Sequence, residues 1–111
     1  MLPFEQRAAF QTGQKFSDIA LDSVFTFQDT HDSQIATSIH DPASGRTMVM
    51  TLDSSFRQCV IYNPPHREAI CIEPYTCAPD PFRLSREGVD TGLRVLAPGQ
   101  SFAASIQIRV D

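Results

Sequence analysis

Short runs of alternating apolar and polar residues recur about every ten residues along this chain, with turn residues between them. Alternation with a period of two is typical of strands with one buried face. The eight prolines among the 111 residues break the chain often, so many short elements are expected. The sequence therefore predicts an all-β fold, an antiparallel β-sandwich, built as a single domain over residues 1–111.

Two of these runs are joined by the residues DPASG, which have the chemistry of a tight turn, and this pair predicts a hairpin. In FSDIALDSVFTF, a short helical turn near Ile19 to Leu21 is expected before a further strand. The first 15 or so residues alternate poorly and predict a loop or an extended arm. The predicted strands are Ile35 to His40, Thr47 to Leu52, Gln58 to Tyr62, Ala69 to Glu73, Gly92 to Leu96 and Ser101 to Val110.

The charge balance argues against two classes of partner. The chain has 13 acidic and 9 basic side chains, a formal net charge of −4, and the basic residues are scattered singly. No clustered basic surface is available to bind a phosphate backbone, so nucleic acid is not an expected partner. No run approaches the ~20 apolar residues of a membrane helix, and the N-terminus lacks the plan of a secretion signal. These features predict a cytoplasmic protein that does not bind membranes.

The three cysteines, Cys59, Cys71 and Cys77, lack the CxxC spacing of a metal site. Cys59 and Cys71 fall in apolar strands, where a free thiol packs as a small hydrophobic group. A disulfide between them, or a reactive Cys77, is the alternative. No redox role and no cofactor are expected.

Glu73 is the most conspicuous polar residue in an apolar run, the segment AICIEPYT. Alternation places Glu73 on the same strand face as Cys71, whereas Ile70 and Ile72 point to the other face. If the isoleucines face the core, Glu73 lies on the accessible side of the sheet. A carboxylate there is either a solvated surface group or a group placed for proton transfer.

The run NPPHREAICIEPYTCAPDPFRL and the later run GLRVLAPGQSFAASIQIRV resemble the C-terminal part of the aldose 1-epimerases, also called galactose mutarotases. The resemblance covers Val60 to Val110. Gln100 departs from the family pattern by replacing its usual acidic residue. The matching motif positions are Cys71, Glu73 and Pro74, then Thr76, Pro79 and Asp80, then Gly92, Leu93, Leu96, Pro98 and Gly99.

The resemblance implies a partial galactose mutarotase-like supersandwich that binds a hexose. Glu73 matches the general base that takes the proton from the anomeric hydroxyl. Asp22, in FSDIALDSVFTF, matches an aspartate that binds sugar hydroxyls; its alternative is a turn or cap residue. Tyr75 is expected to line the sugar pocket. A phosphosugar, whose phosphate Arg83 and Arg86 would contact, is a weaker alternative substrate.

Family members place the acid histidine in N-terminal and middle portions that have no counterpart here. His31, His40 and His66 do not stand in the matching motifs, and a metal site from His31, Asp32, His40 and Asp41 has no recognised spacing.

A partial sandwich exposes apolar faces and sheet edges, so self-association or a missing N-terminal portion is expected. A carbohydrate-binding β-sandwich module without catalysis is the alternative function.

Overall fold

Six strands form most of the regular structure in the computed structural model, which describes residue 10 and residues 12–27 and 34–111. A short 3-10 turn precedes the first strand, and one short helix lies between the last two. The elements are the 3-10 turn Phe16–Asp18, β1 (Asp22–Thr26), β2 (Ile35–Asp41), β3 (Arg46–Leu52), β4 (Gln58–Tyr62), β5 (Cys71–Tyr75), α1 (Pro81–Arg86) and β6 (Ile106–Val110).

The strands are divided between two three-stranded sheets in which every pairing is antiparallel. The first sheet has the order β1-β4-β5, and the second has the order β2-β3-β6. The predicted all-β class is therefore confirmed. Among the described residues, no helix has the length and apolar character needed to cross a membrane.

The predicted hairpin is confirmed as β2 and β3. The Asp41 carboxylate closes the turn, accepting hydrogen bonds from the Ala43 N–H at 3.0 Å and the Ser44 hydroxyl at 2.6 Å. These hydrogen bonds lower the pKa of Asp41. Gly45 completes the turn at φ +72°, a conformation that glycine adopts without steric cost.

A small core joins the two sheets. Met50, Leu52 and Phe56 are buried, with Leu52 completely inaccessible, and Ile72 of β5 packs against them from the first sheet. Met50 and Leu52 lie two residues apart on β3, so the same face of that strand supplies both. The expectation that Ile72 faces the core is confirmed.

The predicted turn and strand near the N-terminus are found, with the turn at Phe16–Asp18, earlier than expected, followed by β1. Most of the predicted arm, residues 1–9 and 11, lies outside the described residues. Phe10 is described, and its ring packs edge-on against Phe25 with 5.2 Å between ring centroids.

Two strand predictions near the C-terminus need correction. The segment 92–96 forms no strand, and only Ile106–Val110 of the last predicted strand is paired. An extended segment becomes a strand only beside a partner, and no described strand lies alongside 92–96. Phe102 in the same region is not a core residue, because it is 38% exposed and its ring lies under the Arg94 guanidinium.

The strand predicted over Ala69 to Glu73 is found at Cys71–Tyr75, so it begins two residues later and continues through Pro74 to Tyr75. Pro74 is paired with Cys59 in β4. The strand tolerates proline because β5 is an edge strand, where a missing N–H on the outer side removes no ladder hydrogen bond.

Two segments that carry motifs of the resemblance, residues 76–80 and 90–93, pack against each other. The Ala78 N–H donates to the Thr91 carbonyl at 2.8 Å, and the buried Thr91 hydroxyl accepts the Leu93 N–H. Arg57 donates two hydrogen bonds to Asp90, at 3.1 and 3.0 Å, which raise the pKa of Arg57 and lower that of Asp90. These contacts fix the loop that follows β5.

We expect Leu52→Ala to lower the free energy of unfolding by about 2–5 kcal/mol, because it leaves a cavity where both sheets meet. Val95→Ala is the matched control, since Val95 is 82% exposed and its truncation opens no cavity. Urea unfolding of both variants measures the difference. Equal losses for the two variants would contradict the placement of the core.

We expect Gly92→Ala to destabilise the chain more than Gly99→Ala. Both glycines have positive φ, +77° and +83°, so alanine meets the same backbone penalty of about 1–2 kcal/mol at each position. At Gly92 the new Cβ also lies 2.9 Å from Arg57 Cδ and 3.0 Å from the Thr76 carbonyl oxygen, whereas Gly99 has open space. Urea midpoints measure the difference, and equal midpoints would rule out the close approach.

Candidate functional site

One face of the first sheet carries all three side chains predicted to bind or convert a sugar. In the registers of β1, β4 and β5, Asp22 lies in the row of Tyr62 and Cys71. Glu73 and Tyr75 occupy the next two rows on that side, because paired residues and alternate residues point the same way. We call this surface the open face; its members are Asp22, Val24, Thr26, Gln58, Val60, Tyr62, Cys71, Glu73 and Tyr75.

Glu73 is the middle residue of β5 and is exposed, as its alternation with Ile72 predicts. The Tyr75 hydroxyl donates a hydrogen bond to Glu73 Oε2 at 3.4 Å, a long and therefore weak interaction. The carboxylate is thus held on a paired backbone while its oxygens remain accessible to a ligand.

Asp22 lies at the other edge of the open face. It begins β1 and pairs with Tyr62 of β4, so it caps no helix. Since β4 separates β1 from β5 and Glu73 lies one row further along, Asp22 and Glu73 are separated by roughly 10 Å across the strands and roughly 7 Å along them. A ligand that touches both carboxylates must therefore span β4.

Asp22 lines a shallow cleft of about 370 Å³ at the end of β1 and β4. Glu73 and Tyr75 are not among the residues of the cleft wall. The structure thus separates the predicted site residues into a cleft that contains Asp22 and a flat surface that contains Glu73 and Tyr75. The cleft is lined by Ala20, Leu21, Asp22, Tyr62, Asn63, Pro65 and Arg67.

Asn63 builds the wall of this cleft. Its side chain accepts the Leu21 N–H at 2.6 Å and donates to the carbonyls of Phe16 and Ile19, at 3.0 and 2.7 Å. Asn63 is only 3% exposed, so these bonds satisfy a polar group that burial would otherwise penalise. The segment before β1 is therefore tied to the end of β4.

Sequence reasoning missed Asn63 and Arg67 as site residues. Arg67 adopts φ +61°, which is uncommon for a residue other than glycine, and its guanidinium donates to the Pro64 carbonyl at 3.2 Å. It brings a positive charge to the cleft that holds Asp22. The only sequence signal was the Asn-Pro-Pro turn before it.

Neither described histidine is hydrogen-bonded to Glu73. His40 Nδ1 lies 2.9 Å from the Thr47 hydroxyl in the second sheet, and His66 Nδ1 accepts the Glu68 N–H at 3.0 Å. His31 and Asp32, the other half of the conceivable metal set, lie outside the described residues. Within residues 10, 12–27 and 34–111, no group of three or more His, Cys, Asp or Glu side chains is arranged to hold a metal ion.

The arginines considered for a phosphosugar lie on α1. Arg83 is paired with Asp80 at 2.6 Å and with Glu87 at 2.9 Å, and these bonds raise its pKa. Arg86 donates to the Phe82 carbonyl at 3.4 Å. The charge of Arg83 is therefore already balanced by two carboxylates.

The cysteines are free thiols in distinct environments. Cys59 is buried, Cys71 is exposed on the open face, and Cys77 is intermediate. The alternative disulfide between Cys59 and Cys71 is wrong, because the two residues occupy different rows and opposite faces of the first sheet. Burial raises the pKa of the Cys59 thiol to about 11.

No family model matches the chain, and no solved structure matches it. Membership of the aldose 1-epimerase family thus stays a prediction from the quoted motifs.

We expect a water-soluble thiol reagent, added at a pH of about 8.5, to modify Cys71 rapidly and Cys59 slowly. Cys71 is accessible on the open face, whereas Cys59 is buried and its pKa is raised. The experiment uses Cys77→Ser to leave two thiols and counts the modified thiols over time. Adding Cys71→Ser should abolish the fast phase; a fast phase that survives would contradict the face assignment.

Proposed function

We propose that the open face binds an aldose and that Glu73 is the general base of an aldose 1-epimerase-type reaction. The observation that carries the proposal is the position of Glu73: a carboxylate exposed at the centre of a paired strand, beside the Tyr75 hydroxyl and on the same face as Asp22. The resemblance around Cys71, Glu73 and Pro74 supports the choice of reaction.

The reaction interconverts two anomers by opening and closing the sugar ring. Glu73 takes the proton from the anomeric hydroxyl, and the electrons of that O–H bond form the carbonyl. The bond between the anomeric carbon and the ring oxygen breaks, and the ring oxygen takes a proton from an acid. Rotation of the aldehyde and the reverse steps give the other anomer, so Glu73 ends as it began.

Asp22 and the cleft supply binding in this proposal. An ionised carboxylate accepts strong, charge-assisted hydrogen bonds from sugar hydroxyls, and Arg67 donates such bonds from the same cleft. Tyr62 of β4 lies beside Asp22 and diagonally across from Glu73, and its ring offers an apolar surface on which a sugar can stack. The sugar therefore crosses β4 to meet Glu73.

Non-catalytic carbohydrate binding is a second candidate, favoured by a specific observation. The hydrogen bonds of His40 and His66 are made elsewhere, so neither described histidine is poised as the acid partner of Glu73. Glu73 is also exposed to solvent, which suits a hydrogen-bond acceptor for hydroxyls. In this candidate the open face binds the same sugar and leaves the anomers unchanged.

We expect Glu73→Gln to slow mutarotation of freshly dissolved α-glucose or α-galactose by about 10²- to 10⁴-fold relative to any catalysed rate of the native chain, because glutamine accepts no proton. Polarimetry measures the rate above the spontaneous one. Glu87→Gln is the matched control, since it removes an exposed carboxylate on the loop after α1 and leaves the open face intact.

The outcomes separate the two candidates. Equal rates for the native chain and Glu73→Gln, both above the spontaneous rate, would exclude Glu73 as the base. A spontaneous rate combined with sugar-dependent NMR shifts at Asp22, Glu73 and Tyr75 would favour binding without catalysis. No catalysis and no shifts at saturating sugar would contradict both candidates.

A further inference from the structure

Strand β6 has one edge whose backbone is not used by the described residues. Thr47 and Asp111 exchange two hydrogen bonds, at 2.9 and 3.2 Å, and the Asp53 N–H donates to the Ser105 carbonyl at 3.1 Å. Antiparallel ladders alternate, so the odd-numbered residues of β6 face β3. The N–H and C=O groups of Ile106, Ile108 and Val110 therefore point away from the sheet.

The side chains on this edge are apolar and exposed. Ile106, Ile108 and Val110 are 44%, 61% and 61% exposed. Their partners in β3 are Leu52, Met50 and Met48. The three side chains of β6 therefore lie on the core-facing side of the second sheet, beyond the part of that side that the core covers. Protected edges carry charged side chains, proline or a bulge; β6 has no proline, and its one charged side chain is Arg109, outside the outward-facing row.

We propose that β6 pairs antiparallel with β6 of a second copy of this chain, about a twofold axis at Ile108. This register puts Ile108 opposite Ile108 of the partner subunit and Ile106 opposite Val110 of the partner subunit. All three outward-facing residues then exchange backbone hydrogen bonds, six in total by the alternation of the ladder. The result is a continuous six-stranded sheet, and its twofold axis makes the contact self-complementary.

Side-chain pairing favours this register over the two neighbouring ones, and Arg109 is ion-paired at 3.2 Å with Asp111 of its own chain. With the axis at Ile108, Arg109 lies opposite Gln107 of the partner subunit, and Asp111 lies opposite Ser105 of the partner subunit. With the axis at Arg109, two arginines would face each other, which is destabilising. With the axis at Gln107, Val110 would lie opposite Ala104 and the apolar row would be incompletely paired.

The pairing is independent of the proposed function. β6 belongs to the second sheet, whereas the open face belongs to the first. A failure of sugar binding therefore does not contradict the dimer, and a monomeric chain does not contradict the sugar site.

The test measures oligomeric state by sedimentation velocity over two orders of magnitude in protein concentration. We expect the native chain to dimerise with concentration and Ile108→Pro to remain monomeric. Proline at 108 removes an outward N–H from each copy at the axis and no hydrogen bond to β3. Val95→Lys is the control, because Val95 is the most exposed large apolar residue outside β6 in the described part of the chain and its change should leave the dimer intact.

A charge pair tests the register itself. Gln107→Glu should tighten the dimer and Gln107→Lys should weaken it, each by roughly two- to thirtyfold in dissociation constant, because symmetry places each new charge opposite Arg109 twice. Both effects should shrink at high salt. These variants keep the register test valid even if Ile108→Pro fails to fold.

Three results would overturn the proposal. A native chain that is monomeric at every concentration excludes the dimer. This holds even if the monomer binds a different protein through β6. A dimer that persists in folded Ile108→Pro places the contact elsewhere. Equal dissociation constants for Gln107→Glu and Gln107→Lys exclude the stated register.

Discussion

The register of β5 against β4 is the constraint on which the rest of the candidate site depends. It sends Ile72 into the core beside Leu52 and turns Glu73 outward. A slip by one residue would reverse both side chains, because the side-chain period of a strand is two. A buried, unpaired carboxylate costs several kcal/mol, so the packing of Ile72 also fixes the exposure of Glu73.

A polar contact holds the other half of the site. The buried Asn63 amide satisfies backbone groups of Phe16, Ile19 and Leu21, and this ties the segment before β1 to the end of β4. The same attachment forms the cleft in which Asp22 and Arg67 lie. Apolar burial thus orients Glu73, whereas hydrogen bonding shapes the surroundings of Asp22.

The outer strands of the two sheets differ in how their edges are protected. Pro74 lies in the edge strand β5 of the first sheet, where it lacks the N–H that a pairing strand would need. The edge strand β6 of the second sheet keeps all its donors and carries an exposed apolar row. The exposed apolar row of β6 lies on the sheet that does not hold the candidate site.

The sequence by itself determined the local elements whose signals are local. DPASG specified the β2–β3 hairpin, and alternation specified that Ile72 and Glu73 lie on opposite faces. It did not determine pairing, because a β-type segment such as 92–96 stays unpaired when no neighbouring strand lies beside it. The tertiary structure alone decided that Phe102 is exposed, that Arg67 joins Asp22 in a cleft and that Asp22 and Glu73 stand on either side of β4. These features depend on contacts between residues far apart in the chain, which no local pattern records.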